Sequence, residues 1–465
     1  MLIFSYYCKM ITDRLHMKRI LTIAAFMAFS LVMGAQSYFG TLQARRSPEW
    51  FRQCVTYQLH MRSFTPEGTI KAADARLPQL RDLGITLVYL TPVNVSDGDM
   101  NLDTWSPRQK KSGLGNPRNP YRPYDYFHVD PEYGTDEDLK AFIAHAHELG
   151  MYVMLDMVFA HCGPTSPVIR DHPDYFVYDD DGRMKTTQWL FPEFDHHNSG
   201  TRAYFRTVMQ YYLADFQVDG FRCDVADAIP IDFWEEARDG LEALNPEVAM
   251  AAESLHGFNT RKAFDAVYGW KVGGGPVLGL LKNPGHAAAA RKDIEDYMAT
   301  LPKGTLVWNF TDNHDYSNDC YDDRYEKIYG HANQELGLAF NFAFEGIPLI
   351  FNGQEVCFEG RMSIFGHDGG WIDWDSAWTD GAKVRFATIQ HLAQMRRSHK
   401  SLTHGATVWI DNDCPDEVLS FRRTLEGERD VLFVGNFSDR EVKVRLSDGS
   451  RFRLAPWGYH FDIVK

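Results

Sequence analysis

Short runs of apolar residues recur along this chain, and stretches with helical periodicity separate them. The run Ile85–Leu90 follows a helical stretch at Thr69–Leu83, and Tyr152–Val158 follows another at Thr135–Leu149. Strands that are apolar on both faces indicate a parallel sheet that is covered by helices on each side. The alternation therefore predicts an α/β fold, either a closed (β/α)8 TIM barrel or an open doubly wound sheet.

The same alternation extends over most of the chain. Further strands are predicted at Val55–Met61, Val218–Arg222, Val248–Ala252, Thr305–Trp308 and Leu349–Phe351, and further helices at Ala203–Phe216, Asp232–Leu244, Gln334–Phe344 and Ala382–Arg396. The Gly-rich region Tyr268–Ala290 gives no clear assignment. A barrel of this type needs roughly 250 residues and tolerates insertions, so the length suits one barrel with additions.

Two departures from this pattern define the expected domain organisation. A catalytic barrel is predicted over residues 46–398, and residues 161–199 interrupt it after the third strand as a small inserted domain. Residues 402–465 contain short alternating runs with turns at Glu426-Gly427 and Asp448-Gly449. We therefore expect a C-terminal antiparallel β domain that resembles a sandwich.

The N-terminus has the layout of a secretory signal peptide. Met17-Lys18-Arg19 is basic, Ile20–Met33 is apolar, and Gly34-Ala35 supplies small residues before a cleavage point. We predict a signal region at residues 1–35, a true start at Met17, and an exported, periplasmic or extracellular protein. The run is shorter than the ~20 residues that span a bilayer. Stable membrane insertion is therefore not expected after signal removal, and a retained anchor is the alternative.

Charge and cysteine usage exclude several classes of partner. The formal net charge of -15 disfavours binding to nucleic acid. The chain has 7 cysteines without a C-x-x-C pair, so zinc and redox motifs are absent and most of these residues are expected to be buried fillers. Nothing in the pattern specifies an oligomeric state.

Acidic residues stand where predicted strands end. Asp156, Asp224, Glu253 and Asp315 each follow or close such a segment. A single carboxylate in this position usually caps a helix. Four of them would converge at the C-terminal mouth of a barrel, where the active sites of this fold lie. The sequence therefore predicts one pocket lined by carboxylates.

Crowded carboxylates differ in their protonation. Because like charges repel, at least one carboxyl should hold a raised pKa and keep its proton, while Arg222 would help the others to stay ionised. An acid beside a nucleophile is what glycoside hydrolysis requires. Two carboxyls about 5–5.5 Å apart would give a retaining double displacement.

Specific segments sharpen this interpretation. Residues 155–161 (LDMVFAH), 220–224 (GFRCD), 252–253 (AE) and 310–315 (FTDNHD) resemble, in order, the four sequence signatures of the alpha-amylase family of glycoside hydrolases. Residues 191–195 (FPEFD) resemble a fifth. The similarity spans about residues 54–355. It implies a (β/α)8 barrel enzyme that acts on an oligo- or polysaccharide.

The resemblance implies a role for each matching residue. Asp224 would be the nucleophile, Glu253 the acid/base, and Asp315 the carboxylate that binds sugar hydroxyls and distorts the ring. Tyr121 would stack beneath the sugar, and His161 and His314 would form hydrogen bonds to it. Arg222 would orient Asp224. Asp156 would organise the site through Arg222.

Two positions depart from the family's pattern. Many members have Asn, often a calcium ligand, where this chain has Ala160. Because alanine offers no side-chain oxygen to a hard cation, we expect no required cofactor, no assigned metal ligand and a doubtful calcium site. Asp227-Ala228 stand where starch-degrading amylases often carry Lys-His. A simple α-amylase specificity is therefore in question.

Alternative functions stay open at this point. The leading interpretation is a hydrolase of α-glucosidic bonds in α-glucans or malto-oligosaccharides. A transglycosidase or disaccharide isomerase would use the same glucosyl-enzyme. A non-catalytic carbohydrate-binding barrel would share the fold, but inactive relatives are expected to lack a catalytic carboxylate. An aldolase would need a Schiff-base lysine or a phosphate-binding glycine loop, for which we find no support. The tryptophans that could serve as sugar platforms are Trp105, Trp189, Trp270, Trp371 and Trp374.

Overall fold

The computed structural model describes residues 40–320 and 323–464, without the side chains of residues 318–320 and 369. The predicted signal region, Met17 as the start, and Cys8 lie outside the described residues. In the described part of the chain, no helix combines the length and the apolar character needed to cross a membrane.

Eight parallel strands close into a barrel in the order β1 to β8. They are β1 Thr56–Leu59, β2 Leu87–Leu90, β3 Tyr152–Met157, β4 Gly220–Cys223, β5 Ala249–Ala252, β6 Ala266–Tyr268, β7 Leu306–Asn309 and β8 Ile347–Phe351. The barrel closes where β1 pairs with β8, with Thr56 opposite Leu349. This pairing excludes the open doubly wound sheet and confirms the predicted barrel.

Helices surround the barrel and fill several of its loops. They are α1 Glu49–Gln53, α2 Met61–Phe64, α3 Ile70–Asp74, α4 Leu77–Leu83, α5 Pro107–Ser112, α6 Asp136–Glu148, α7 Pro167–Asp171, α8 Ser199–Asp215, α9 Ile231–Glu242, α10 Leu278–Lys282, α11 Ala287–Thr300, α12 His314–Cys320, α13 Tyr325–Tyr329, α14 His331–Ala343, α15 Asp380–Ser398 and α16 Lys400–His404. Short 3-10 or π turns lie at Leu102–Thr104, Pro173–Tyr175, Ala226–Ala228, Gly257–Arg261, Gly269–Lys271, Gly273–Val277, Gln354–Val356 and His367–Gly369.

Local sequence explains where several of these elements begin and end. Thr135 and Asp138 form a capping box at the start of α6, which satisfies two backbone N–H groups. Gly84 ends α4 in the left-handed region at φ 98°, where a side chain would be strained. The strands of the barrel are buried on both faces, as their continuous apolar sequences predict.

One prediction about an individual element was wrong, and one barrel strand was not predicted. The helix predicted over Thr69–Leu83 is two helices, because Pro78 lacks the N–H of a helix interior and instead lies in the first turn of α4. The strand that was not predicted is β6, which has only three residues and adjoins the unassigned Gly-rich region Tyr268–Ala290.

Long loops follow β2 and β3 at the C-terminal mouth of the barrel. The β3 loop carries the residues predicted as an inserted domain, joined by isolated bridges such as His161 with Glu193 and Phe176 with Phe194. These bridges join residues within the segment and so fold it back on itself.

The C-terminal part is antiparallel, as predicted. A four-stranded sheet has the order β14-β11-β10-β9, and β12 pairs with β13. The strands are β9 Ala406–Trp409, β10 Val418–Thr424, β11 Val431–Asn436, β12 Val442–Arg445, β13 Arg451–Leu454 and β14 Tyr459–Ile463. Sequence patterning missed β9 and β14, whose side chains are mostly not fully buried. The domain boundaries drawn from the sequence stay predictions.

Candidate active site

One cavity of about 340 Å³ opens at the C-terminal mouth of the barrel. The predicted residues that line it are Asp224, Glu253, Asp315, Tyr121, His161 and His314. Arg222 and Asp156 lie beneath it, with 0% and 1% of their surfaces exposed. The size is within the range of about 300–1,000 Å³ typical of small-molecule sites. All eight predicted site residues therefore meet in one place.

The buried guanidinium of Arg222 organises the floor of the cavity. Its Nη1 donates to Asp156 Oδ1 and Asp224 Oδ1, each at 2.7 Å. Its Nη2 lies 2.8 Å from Glu253 Oε2. Because adjacent nitrogens of one planar group hold Asp224 and Glu253, these two carboxyls are neighbours facing the same space.

Asp224 titrates differently from an ordinary aspartate. Burial raises its pKa well above the usual value; Arg222 opposes this, while the charges of Glu253 and Asp156 add to it. One positive charge among three carboxylates cannot keep all of them ionised without cost. The cluster therefore retains a proton more readily than an isolated carboxyl would.

The backbone beside Asp224 is strained. Val225 adopts φ 37°, a left-handed conformation that is unusual for a β-branched residue. In this conformation its N–H donates to Glu253 Oε2 at 2.9 Å. Glu253 Oε2 is thus bound by both Arg222 and Val225, and Oε1 is the oxygen that remains for a reacting group.

A hydrogen-bonded chain positions His314 and Tyr121. Gln58 Oε1 accepts the His314 backbone N–H, so its Nε2 faces His314 Nδ1 at 2.7 Å. His314 Nε2 then donates to the Tyr121 hydroxyl at 2.8 Å, which donates to Asp156 Oδ2 at 2.8 Å. Burial lowers the pKa of His314, in keeping with a neutral imidazole ring within these hydrogen bonds.

Asp315 occupies a different environment from Asp224. Burial alone would raise its pKa, but His314 and Arg108 lower it to about 2. Arg108 is the permanent cation of the two, and its Nη1 donates to Asp315 Oδ1 at 2.9 Å. Asp315 is therefore held as a carboxylate, ready to accept hydrogen bonds.

His161 contacts the backbone of Tyr121 rather than its hydroxyl. Its Nε2 donates to the Tyr121 carbonyl at 2.9 Å, which leaves Nδ1 as an acceptor without a hydrogen-bond partner among the described residues. Burial lowers the pKa of His161 to about 4, so the ring is neutral at physiological pH.

The structure separates the five candidate tryptophans. Trp189 and Trp270 line the cavity. Trp105 and Trp374 are buried and donate their Nε1–H groups to backbone carbonyls, which marks them as packing residues. Trp371 stacks on His367 with ring centroids 4.7 Å apart, away from the cavity lining.

Three residues of the site were missed by sequence reasoning. Arg108 on α5 contacts Asp315, Gln58 in β1 orients His314, and the Tyr89 hydroxyl in β2 donates to Asp156. Gln58 and Tyr89 lie inside predicted strands, so an inward-facing polar group on a barrel strand was the available signal. Arg108 lies in a long polar loop, and its sequence carries no such signal.

The position that would supply a calcium ligand does not fit that ion. Ala160 is buried, and its carbonyl oxygen accepts the Phe194 N–H at 3.2 Å. No side-chain oxygen is offered there, whereas calcium takes six to eight oxygen ligands. Ala160 therefore cannot supply a side-chain ligand to a calcium ion.

A separate group of potential metal ligands lies outside the cavity. Ligand atoms of Glu326, His331 and Cys357 come within 4.8 Å of one another. Arg385 Nη1 donates to Glu326 at 2.6 Å and so places a cation against this group. Burial raises the pKa of Cys357 to about 12, which keeps it a thiol rather than a thiolate ligand.

A second cavity of about 470 Å³ adjoins the first. The two share Val225, Glu253 and Trp270. Asp227, one of the residues that departs from the family's pattern, lines the second cavity and accepts hydrogen bonds from Ser254 and Asn259. The carboxyl of Glu253 therefore stands between two adjoining spaces.

We expect Arg222→Met to lower the free energy of unfolding by about 3–5 kcal/mol, because it leaves buried carboxylates without their counter-charge. Urea unfolding at neutral pH measures this loss. Arg206→Met is the control, since Arg206 is half-buried in a surface pair with Glu236 whose contribution is about 0–1 kcal/mol. Equal losses in the two variants would contradict the central role of Arg222.

Comparison with known proteins agrees with this site. A family model described as the alpha amylase catalytic domain matches residues 48–181. A cyclomaltodextrinase of Geobacillus thermopakistaniensis is 24% identical over 87% of this chain and 72% of its own length. Neopullulanase 2 of Thermoactinomyces vulgaris is 23% identical over 87% of this chain and 73% of its own length.

Solved structures share the whole architecture. A noncanonic maltogenic alpha-amylase from Thermotoga neapolitana superimposes with a TM-score of 0.72 and 26% identity, covering 89% of this chain and 97% of the other. A cyclic alpha-maltosyl-(1-->6)-maltose hydrolase from Arthrobacter globiformis, with 19% identity and a TM-score of 0.74, shares the fold over 90% of this chain and 100% of the other. In sequence and in fold the chain is thus similar to the alpha-amylase family of glycoside hydrolases.

Proposed function

We propose that this protein is a retaining hydrolase of α-glucosidic bonds in α-glucans or malto-oligosaccharides. The observation that carries the proposal is the placement of Asp224 and Glu253 on one guanidinium, with Asp315 in the same cavity. Two neighbouring carboxyls of unlike protonation are the requirement of a double displacement.

The first step forms a bond to the protein. Asp224 Oδ1 is held by Arg222, so Oδ2 attacks the anomeric carbon of the glucosyl unit. Glu253 gives its proton from Oε1 to the glycosidic oxygen as that bond breaks. The products of this step are a β-glucosyl ester on Asp224 and a released sugar hydroxyl.

The second step restores the enzyme. Glu253, now ionised, removes a proton from water while the water oxygen attacks the anomeric carbon from the opposite face. The ester bond to Asp224 breaks, and Arg222 stabilises the carboxylate that leaves. The product has the α configuration, and Glu253 has regained its proton.

The other residues bind and orient the sugar. Asp315 accepts hydrogen bonds from ring hydroxyls, and Tyr121 offers its ring as a stacking surface. His161 Nδ1 can accept a hydrogen bond from a sugar hydroxyl, whereas both ring nitrogens of His314 are bonded to Gln58 and Tyr121, so His314 acts by positioning Tyr121. Asp156 acts from beneath, because it fixes both Arg222 and the Tyr121 hydroxyl.

A substrate panel tests the proposed activity. The purified protein is incubated with starch, maltose, isomaltose, pullulan, sucrose, trehalose and maltoheptaose, and its products are separated. We expect shorter glucans from maltoheptaose, and proton NMR should show the α-anomer first. Products longer than the substrate would favour a transglycosidase. Conversion of one disaccharide into another would favour an isomerase, and binding without turnover would favour a non-catalytic barrel.

The pH dependence follows from the raised pKa of Asp224. Because Asp224 must be ionised to attack, activity should rise as pH rises through its pKa, which burial raises above the ordinary value of about 3.9. A profile of kcat/KM against pH should therefore show its acid limb at a pH above that ordinary value. A limb at or below it would mean that a carboxyl such as Asp315, with its pKa of about 2, controls the rate.

We further propose that the protein is exported to the periplasm or the medium. The support is the basic start Met17-Lys18-Arg19 followed by the apolar run Ile20–Met33. Some relatives differ, since maltogenic amylases of Bacillus subtilis are named as intracellular. Cell fractionation and N-terminal sequencing test the proposal; residues before Met17 in the mature protein would contradict it.

A further inference from the structure

A cation lines the cavity on the side of Asp315. Arg108 Nη1 donates to Asp315 Oδ1 at 2.9 Å, and its Nη2 donates to the Asp315 backbone carbonyl at 3.1 Å. Two bonds to one residue fix the plane of the guanidinium. The group is one-third exposed and lines the same cavity as Asp224 and Glu253. It therefore presents a fixed wall to a bound sugar.

The helix that carries Arg108 is itself anchored. Ser106 caps α5 by accepting the Gln109 N–H. The buried amide of Gln109 donates to the carbonyls of Asn116 and Pro117 at 2.9 and 3.0 Å. Because the loop is held by these bonds, the position of Arg108 is set before a substrate binds.

Two loops join beside Arg108 to close this end of the cavity. Arg361, in the loop after β8, donates to the Ser112 carbonyl at the end of α5 at 3.1 Å. Arg62 binds the carbonyls of both Arg118, in the β2 loop, and Ile364, in the β8 loop. Ile364 also lines the cavity. The β2 and β8 loops thus form one continuous wall.

The open space lies beyond Glu253 instead. The second cavity adjoins the first at Val225, Glu253 and Trp270. Since Glu253 protonates the departing oxygen, the released part of the substrate must extend from its side of the site. The free volume beside Glu253 therefore suits the departing part of the substrate.

We infer that the enzyme is exo-acting and removes single glucosyl units from non-reducing chain ends, with the Arg108–Asp315 pair at the closed end of the cavity. The inference rests on the proposed function and adds a substrate class to it. In a glucose ring, the carbon that extends a maltose-type chain lies opposite the anomeric carbon. When the anomeric carbon is at Asp224, a terminal hydroxyl faces the wall, and a further sugar would have to displace Arg108.

Product analysis tests this inference. The probe is maltopentaose with a fluorescent label at its reducing end, together with a cyclodextrin, which has no chain end. We expect the wild-type protein to release unlabelled glucose and labelled maltotetraose first, and to leave the cyclodextrin intact. Maltose as the first product, or cyclodextrin cleavage at a comparable rate, would overturn the inference while leaving glucosidase activity established. Inactivity on every α-glucoside would overturn the proposed function as well.

Variants on α5 test the role of Arg108. Arg108→Ala should lower kcat/KM for glucose release by about 10–100-fold, since it removes hydrogen bonds to a charged group, and should let maltose appear among the early products. The matched control is Lys110→Ala, a basic residue on the exposed face of the same helix. Unchanged products and rates in Arg108→Ala would show that Arg108 does not close the cavity.

Discussion

Replacing Asp224 with Asn should lower kcat on maltose or maltoheptaose by on the order of 10⁴-fold or more, because no other group can form the glucosyl ester. The loss is measured as released glucose, with the variant purified from a host that has no α-glucosidase activity of its own. The fold should survive, since an amide of the same shape can still meet Arg222. Near-normal activity would refute the assignment of the nucleophile.

The stereochemistry of a rescue product identifies the role of Asp224 more sharply. Asp224→Gly opens space on the β face of the anomeric carbon, where azide can attack α-glucosyl fluoride. The expected product is β-glucosyl azide. Asp232→Asn is the matched control, because this exposed aspartate pairs with Arg202 far from the cavity lining and its loss should leave kcat unchanged. An α-azide from Asp224→Gly would place the nucleophile elsewhere.

Replacing Glu253 with Gln should lower kcat/KM for maltose by about 10²–10⁴-fold, the usual contribution of a general acid. The loss should be much smaller for α-glucosyl fluoride, because fluoride departs without a proton. The ratio of kcat/KM values for the two substrates is the measurement. Equal losses on both substrates would mean that Glu253 binds or positions the sugar but does not protonate the leaving group.

A second rescue distinguishes Glu253 from Asp224. In Glu253→Ala the glucosyl ester on Asp224 still forms from the fluoride, and azide then attacks from the α face. The expected product is α-glucosyl azide, the opposite anomer to that from Asp224→Gly. The same anomer from both variants would contradict the division of roles between the two carboxyls.

Most of the barrel could be predicted because its signals are local. Strands such as β2, β5 and β8 are apolar runs, and the capping box of α6 and the Gly84 stop of α4 lie within a few residues of the helix ends that they define. The catalytic carboxylates were found for the same reason, since they follow strands whose ends all face one mouth. β6 failed because three residues carry too little pattern.

The remaining features depend on contacts between distant segments. Arg108 and Asp315 are 207 residues apart, and Gln58 and His314 are 256 residues apart, so no local pattern relates either pair. The pKa values of the carboxyls also depend on groups that are distant in the sequence. Asp224 directly follows β4 and Asp315 lies in the first turn of α12, and burial raises the pKa of Asp224, while nearby positive charge lowers that of Asp315 to about 2.

Sequence alone predicted the alternating strands and helices, the antiparallel C-terminal part and the carboxylates that meet at the mouth, because apolar periodicity and strand-end position are properties of neighbouring residues. The resemblance to the family's signatures added the barrel and the other site residues. Tertiary structure decided which carboxyls share the guanidinium of Arg222, which loop carries a cation to Asp315, and on which side of Glu253 the cleft stays open. The physical reason is that charge interactions and cavity shape depend on distance in space, and folding brings together groups that lie hundreds of residues apart.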